Sequence, residues 1–346
     1  MNNKIAIFSD LHLGVHQNSS YWFDIGMKWV KWFRSELDKQ NITQVIFCGD
    51  FFHYRDEVSV IALNAADKFL DVLDGIEIYM ITGNHDCYYK EVSTVNSLSI
   101  IRGRKNIKVF DELTVKQFGN KNFVFCPWGT KLHDIPQCDV VFGHFELQNF
   151  NMNTFKICEN GDDVEDVINK SNLIFSGHFH MMDVKTFDKS TVIYVGNPFE
   201  MDFNDRQQRK GFYTLDTDTL SYKFIENNIT PNHVSFNLSK LIASTNPDKV
   251  FDKWLPNNIV KLVVDKNIST DHLDILVSKI TSYKPEDLII DYDVNYNKIK
   301  IESSNDHDIM AVSIESAIEE FVNMLDIQNK KEVIAYTIDL LHKSKI

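Results

Sequence analysis

Five short apolar runs each lead straight into a cluster of Asp, His and Asn, and this recurrence constrains the chain more than any other feature. Ile5–Phe8 is followed by Ser9-Asp10-Leu11-His12, and Val45–Cys48 by Gly49-Asp50-Phe51-Phe52-His53. Ile76–Ile81 leads into Thr82-Gly83-Asn84-His85-Asp86, Val140–Phe142 into Gly143-His144, and Leu173–Phe175 into Ser176-Gly177-His178-Phe179-His180. Runs this short, dominated by β-branched and aromatic residues, read as buried strands. Ligands of α/β sheets gather where strands end. Five such endings are expected to bring the clusters to one edge of one sheet.

The residue types point to a cation. Carboxylate, imidazole and amide oxygen make a hard-to-borderline donor set without thiolate, which favours Mn²⁺, Fe²⁺ or Zn²⁺ over a Cys-type structural zinc site. In the D-x-H of Asp10 and His12 and the H-x-H of His178 and His180, residues i and i+2 of an extended chain point the same way, so both can reach one ion. Glycines before Asp50, Asn84, His144 and His178 permit tight turns and close backbone approach. Any one cluster alone reads more simply as a turn or cap. Five in order, each at a strand end, do not.

Two further runs, Phe123–Cys126 and Val192–Val195, read as strands. Between the first two strands lies Tyr21–Gln40, where Trp22, Trp29, Val30, Phe33 and Leu37 recur at helical spacing. That aromatic stripe reads as core. A second helix is expected near Val58–Leu73. The alternation implies an α/β core sheet with helices on its faces. The composition changes at the Asn-rich stretch Asn227–His233. Beyond it a strand at Ile259–Val264, a helix at Asp271–Tyr283 and a strand at Leu288–Val294 form a small α+β unit. Asn295–Asp308 is polar and turn-rich. Two amphipathic helices follow, about Ile309–Leu325 and Lys331–Lys343. The expected organisation is residues 1–230, 231–304 and 305–346.

The five cysteines are scattered, with no C-x-x-C pair, and read as reduced core thiols. Met1–Asp10 lacks a signal-peptide layout. No apolar stretch approaches the roughly 20 residues of a membrane helix, so a cytoplasmic protein without membrane contact is expected. The net charge of −13 argues against a broad nucleic-acid surface, although bound cations reverse the local sign in an acidic cleft.

The ordered pattern D-x-H, G-D, G-N-H-D, G-H and G-H-x-H, complete over about the first 200 residues, resembles the calcineurin-like metallophosphoesterase family. The resemblance implies a sandwich fold and two divalent ions, most simply Mn²⁺ with Mg²⁺ as the alternative. It implies that Asp10, His12, Asp50 and His180 hold one ion, and that Asp50 bridges to a second held by Asn84, His144 and His178. It further implies that His85 is catalytic, with Asp86 orienting its ring. GDFFHYRD, with His53 three residues after Asp50, and DLHLG are similar to the SbcD-type DNA-repair nuclease branch, including phage recombination nucleases of the T4 type. In that branch the residue matching His53 assists the chemistry or places the DNA end.

The branch implies a DNA-capping α+β domain, C-terminal helices that bind an SMC-like coiled-coil ABC ATPase, and a homodimer. It implies 3′-5′ exonuclease action on duplex ends and endonuclease action on single strands, in recombination, repair and replication. Tyr21–Gln40 or Val58–Leu73 could supply the dimer surface. A phosphatase acting on a phosphoprotein or small phosphoester is the alternative function. Candidate DNA contacts are Arg102, Arg104, Lys105, Lys108, Arg206, Arg209, Lys210 and His16, each of which also reads as ordinary surface.

Overall fold

The strand-forming runs resolve into two sheets, not one. The computed structural model describes residues 3–292, 322 and 329–343. The first sheet has β1 (Lys4–Phe8), β2 (Gln44–Phe47), β3 (Glu77–Ile81) and β4 (Ile107–Phe110) in parallel. Antiparallel β13 (Gly211–Asp216) and β14 (Tyr222–Glu226) extend it, giving the order β14-β13-β1-β2-β3-β4. The second sheet has β6 (Lys121–Cys126), β7 (Val140–His144), β10 (Leu173–Gly177) and β12 (Ser190–Tyr194) in parallel. Its antiparallel edges are β5 (Thr114–Phe118) and β11 (Asp183–Phe187), giving the order β11-β12-β10-β7-β6-β5. A small hairpin, β8 (Asn151–Asn153) with β9 (Lys156–Ile157), stands apart. The single-sheet expectation is therefore corrected: three ligand clusters end strands of the first sheet and two end strands of the second.

Side-chain alternation explains why these strands read as unbroken apolar runs. In β1, Ile5 and Ile7 enter a core that they share with Phe123, Phe125, Phe142 and Phe175 of the second sheet. Ala6 and Phe8 point the other way, into a core with the helices. A strand buried on both faces shows no polar period. On the far side of the second sheet, Val124, Val141, Ile174, Val192 and Tyr194 form a third core.

The stripe on α1 (Ser20–Lys39) is core, as expected: Phe23, Trp29, Val30, Phe33 and Leu37 are buried. Phe8 meets Trp29 at 5.1 Å and Phe33 at 5.2 Å between ring centroids. Trp22, partly buried, packs against the same core and also stacks on the rings of His16 (4.8 Å) and His233 (5.9 Å). Helix α2 (Val60–Val72) starts at Ser59, whose hydroxyl accepts from Ala62 N, a normal N-cap.

A three-stranded sheet of order β15-β16-β17 follows, made of β15 (His233–Asn237), β16 (Ile259–Val264) and β17 (Asp287–Tyr292). Helices α3 (Leu238–Ala243) and α4 (Pro247–Trp254) connect β15 to its parallel neighbour β16, and α5 (Thr270–Ser282) leads to β17. Leu238, Phe251, Val260, Leu262, Leu273 and Ile280 give this part its own core. The sequence reading missed β15, α3 and α4. HVSFN is half-buried, flanked by Asn and Pro, and too weakly apolar to register.

The chain divides into a unit of residues 1–291 and a second of 292–346. Helix α6 (Lys330–Lys343) belongs to the second. The expected helix at Ile309–Leu325, the turn-rich Asn295–Asp308 and the end of the Leu288–Val294 strand lie outside the described residues, Val322 apart. Among the described residues no helix is long and apolar enough to cross a membrane. All five cysteines are free, and four of them are buried.

Phe33 packs against Phe8, Trp29 and Phe212 with no exposed surface. Phe33→Ala is expected to cost about 3–5 kcal/mol, the range for emptying an aromatic core site. The exposed Val115→Ala should stay within about 0.5 kcal/mol. Urea midpoints of the two variants check both values.

Candidate metal centre

The clusters converge where the carboxyl ends of β1, β2 and β3 meet those of β7 and β10. The backbone there is unusual. Asp10 (φ 54°), His12 (φ 47°), Asp50 (φ 62°) and His178 (φ 92°) all adopt left-handed conformations without being glycine. Each such residue costs on the order of 1–3 kcal/mol and persists only where its surroundings over-determine it. The fixing bonds are visible. Asp10 N donates to Gly49 O (3.0 Å) and His12 N to Asp50 O (3.0 Å). His178 N donates to the Asp10 carboxylate at 3.1 Å. A Cβ on Gly83 would stand 2.2 Å from Asp50 Oδ1, so only glycine allows the third cluster to close on the second.

The side chains then face one another. His12 Nε2 lies 2.9 Å from His180 Nε2 and 3.5 Å from Asp50 Oδ2. His144 Nε2 lies 3.4 Å from Asp50 Oδ2 and 3.0 Å from Asn84 Oδ1. His178 Nδ1 lies 2.8 Å from the same Asn84 oxygen. Donor atoms of Asp10, His12 and His180, and those of Asp10, Asp50 and His144, each fall within 4.8 Å of one another. His12, His53 and His85 form a third such group. All seven expected ligands are therefore brought together, with His53 and His85 against them.

The donor chemistry fits divalent cations. His144 Nδ1 donates to Cys48 O at 2.7 Å, which leaves Nε2 to bind, the usual outer-shell arrangement for a ligating imidazole. Burial, with neighbouring histidines, lowers His178 to about 3 and His53 to about 4. Burial also holds His12 and His180 below the ordinary imidazole range. These rings are neutral near pH 7, the form that coordinates metal. Burial raises Asp10 to about 7. Burial alone would lower His144, but the adjacent Asp50 carboxylate outweighs it and lifts His144 to about 9. Burial acts to raise Asp50, yet His144 dominates and holds it below the usual carboxylate range.

Two expectations need correction. Asp86 does not orient the His85 ring. Its buried carboxylate accepts backbone N–H groups from Gly83 (2.9 Å), Asp50 (2.9 Å), Phe51 (3.0 Å) and Phe52 (3.1 Å). The carbonyl of His53 meets His85 Nδ1 instead, at 2.6 Å. Lys210 is not a surface contact. It is buried, and its ammonium donates to His180 O (2.8 Å), Asp205 Oδ1 (2.9 Å), Gln208 Oε1 (2.9 Å) and the Asn197 side-chain oxygen. His16 is exposed, in keeping with the surface reading. It meets Met201 O at 2.8 Å and stacks on Trp22.

The other basic candidates are mostly engaged with carboxylates. Arg102 pairs with Asp111, Arg104 with Asp67 and Asp71, Lys108 with Glu77, and Arg209 with Glu226. Lys105 is exposed. Arg206 borders a cleft of about 870 Å³ with His233, Phe236 and Trp254. Asp205 was not read from the sequence. The only signal was a lysine beside Gly211 at a strand start, which looks like surface until the fold buries it.

Comparison with known proteins places the site in context. The model of the calcineurin-like phosphoesterase family matches residues 3–182. Exonuclease subunit 1 of Enterobacteria phage T4 is 30% identical over 238 residues, spanning 66% of this chain and 68% of that protein. Among solved structures, a novel archaeal phosphodiesterase is 17% identical, with a TM-score of 0.37, over 65% of this chain and 99% of its own. A dimetal phosphatase from Danio rerio is 11% identical, with a TM-score of 0.40, over 61% of this chain and 91% of its own. Overlaps this loose carry no argument.

Two predictions follow from the geometry. Asp10 near 7 and His144 near 9 hold protons that a cation must displace, so affinity should climb as pH rises from 6 to 8. The Mn²⁺-induced rise in Tm is therefore expected to be larger at pH 8 than at pH 6, and an equal shift would contradict the assignment. Lys210→Met leaves the buried Asp205 carboxylate without its cation, a change expected to cost about 3–5 kcal/mol. Denaturant titration of this variant and of Arg209→Met, which breaks only an exposed pair, separates the two cases.

Proposed function

This chain belongs to the calcineurin-like phosphoesterase family, and we propose that within it the protein works as a two-metal DNA nuclease subunit. The observation that carries the proposal is the 30% identity with a phage exonuclease subunit over two-thirds of the chain. The position of His53 supports it. Its ring stacks on His85 at 5.4 Å between centroids and 21° between planes, and its Nδ1 lies 3.3 Å from His12 Nδ1.

In this reading Asp10, His12, Asp50 and His180 hold one ion, and Asp50, Asn84, His144 and His178 hold the other. Mn²⁺ is the proposed metal, with Mg²⁺ as the substitute. When bound, such a pair supplies Lewis acidity on the phosphate oxygens and a water acidic enough to attack near neutral pH. The protein's own groups do the rest. His85 N donates to Asp50 Oδ1 at 2.8 Å, and its Nδ1 donates to His53 O. The ring is thereby fixed with Nε2 unengaged, and in its imidazolium form, with both nitrogens protonated, it would give the Nε2 proton to the leaving oxygen. His53 sets the angle of that ring and lines the approach to it. Asp86 acts one step back, by holding the Asp50 backbone.

The proposed substrates are duplex DNA ends, attacked 3′-5′, and single strands, cut internally, during recombination and repair. The proposed partners are an SMC-like coiled-coil ABC ATPase, contacted through the C-terminal region that includes α6, and a second copy of this chain. Helix α2 is the better dimer candidate, because Val60 is 82% and Ile61 46% exposed at its start. The three-stranded unit beyond residue 230 is the proposed DNA cap, and the host cytoplasm the proposed compartment. With a net charge of −13, grip on DNA should depend on the metals and the partner.

End-labelled duplex and single-stranded DNA, incubated in Mn²⁺ and in Mg²⁺ with and without the ATPase, tests the reading. His85→Ala is expected to retain metal and lose about 10²–10⁴ in kcat, whereas Asp50→Ala should lose bound metal. Strong hydrolysis of a phosphomonoester with no cleavage of DNA would point to a phosphatase.

A further inference from the structure

A cavity of about 330 Å³ opens on the His144–His178 side of the centre, and none of the roles assigned above uses it. Trp128 forms part of its wall, with His144 and Glu146 on the side towards the ligands. We propose that this cavity receives one unpaired nucleobase, stacked on Trp128, from the strand whose phosphodiester lies at the metal centre. The inference rests on the DNA-nuclease reading and adds to it a subsite for the base.

Trp128 is built as a fixed platform. It stands two residues after β6, and its backbone N–H donates to Thr82 O at 2.9 Å, in the loop that carries Asn84 and His85. Its indole N–H donates to Lys90 O at 2.7 Å. Backbone and ring are thus both tied, and a ligand need not pay to order them. The ring is only partly buried. Its centroid lies 5.2 Å from that of His178 and 6.0 Å from that of His144. A group resting against it adjoins the residues proposed to hold the second ion.

Charge and size select the occupant. Glu91, Glu146, Asp162 and Asp166 line the cavity, against Lys90, Lys131 and His133. The Glu146 carboxylate stands 4.0 Å from His178 Nε2. Carboxylates at this density disfavour a second phosphate next to the scissile one. They admit a flat, uncharged group whose exocyclic amines can donate to them. The volume sits at the lower end of small-ligand pockets, which suits one base and excludes a stacked duplex. A base entering it must leave its stack, so unpaired or fraying nucleotides gain access first. Stacking on an aromatic face tolerates any sequence.

The experiment uses the full chain in Mn²⁺ with oligonucleotides carrying a single cleavable phosphodiester. The nucleoside on either side of it is, in turn, normal or an abasic analogue. On one of the two sides, loss of the base is expected to lower kcat/KM at least 10-fold in the wild type. Trp128→Leu should remove that discrimination and Trp128→Phe should keep it, with bound metal measured in each. Cleavage by the wild type that is indifferent to the base on both sides would overturn this subsite alone. So would a metal-replete Trp128→Leu that still discriminates. No cleavage of any DNA would overturn both the subsite and the function on which it rests.

Discussion

One buried carboxylate holds the centre together. Asp86 accepts four backbone N–H groups, three from the Asp50–Phe52 turn and one from Gly83. Those bonds join the end of β2 to the end of β3 and pin Asp50 in a left-handed conformation that it would otherwise leave. Asp50 in turn sits against His12 and His144 and takes the N–H of His85. Without Asp86, the placement of Asp50, the presentation of His85 and the closeness of the two turns would lose their common tie. Burial and the nearby Asp50 raise Asp86 itself to about 7. Backbone donors offset part of that cost, as they do for any carboxylate placed among amides.

The two-sheet architecture supplies what a single sheet could not. Side chains from one sheet edge would lie in a row. Ends of two facing sheets enclose a volume, with Asp10, Asp50 and Asn84 on one side and His144, His178 and His180 on the other. The glycines at this junction mark the closeness of the approach. A Cβ at Gly177 would meet Ser9 Oγ at 2.1 Å and Cys48 O at 2.3 Å, both across the gap between sheets. Lys210, from the start of β13, completes the enclosure by holding the backbone of His180 from behind. The aromatic cores on either side of β1 give these ends a rigid footing.

The electrostatics are consistent with a site made for cations. Four imidazoles are kept neutral by burial, and one, His144, is held charged by the carboxylate beside it. Most of the arginines and lysines singled out from the sequence are paired with carboxylates. A divalent metal held at this centre would add positive charge for a phosphate ester approaching this acidic protein.

The sequence alone marked the Asp, His and Asn clusters that meet, because each stands at or just after a strand end and strand ends are local features. It also marked the helical stripe of Trp29, Phe33 and Leu37, since 3.6-residue periodicity is written in the chain itself. Tertiary structure decided the rest. Which sheet each strand joins depends on pairing between segments more than 100 residues apart, as with β1 and β13. Asp86 read as a partner of the adjacent His85, yet its oxygens turn towards amides 34 to 36 residues earlier. Lys210 read as surface and became a buried clamp. A hydrogen bond is fixed by where atoms meet in space, and for these residues the meeting partners lie far away along the chain.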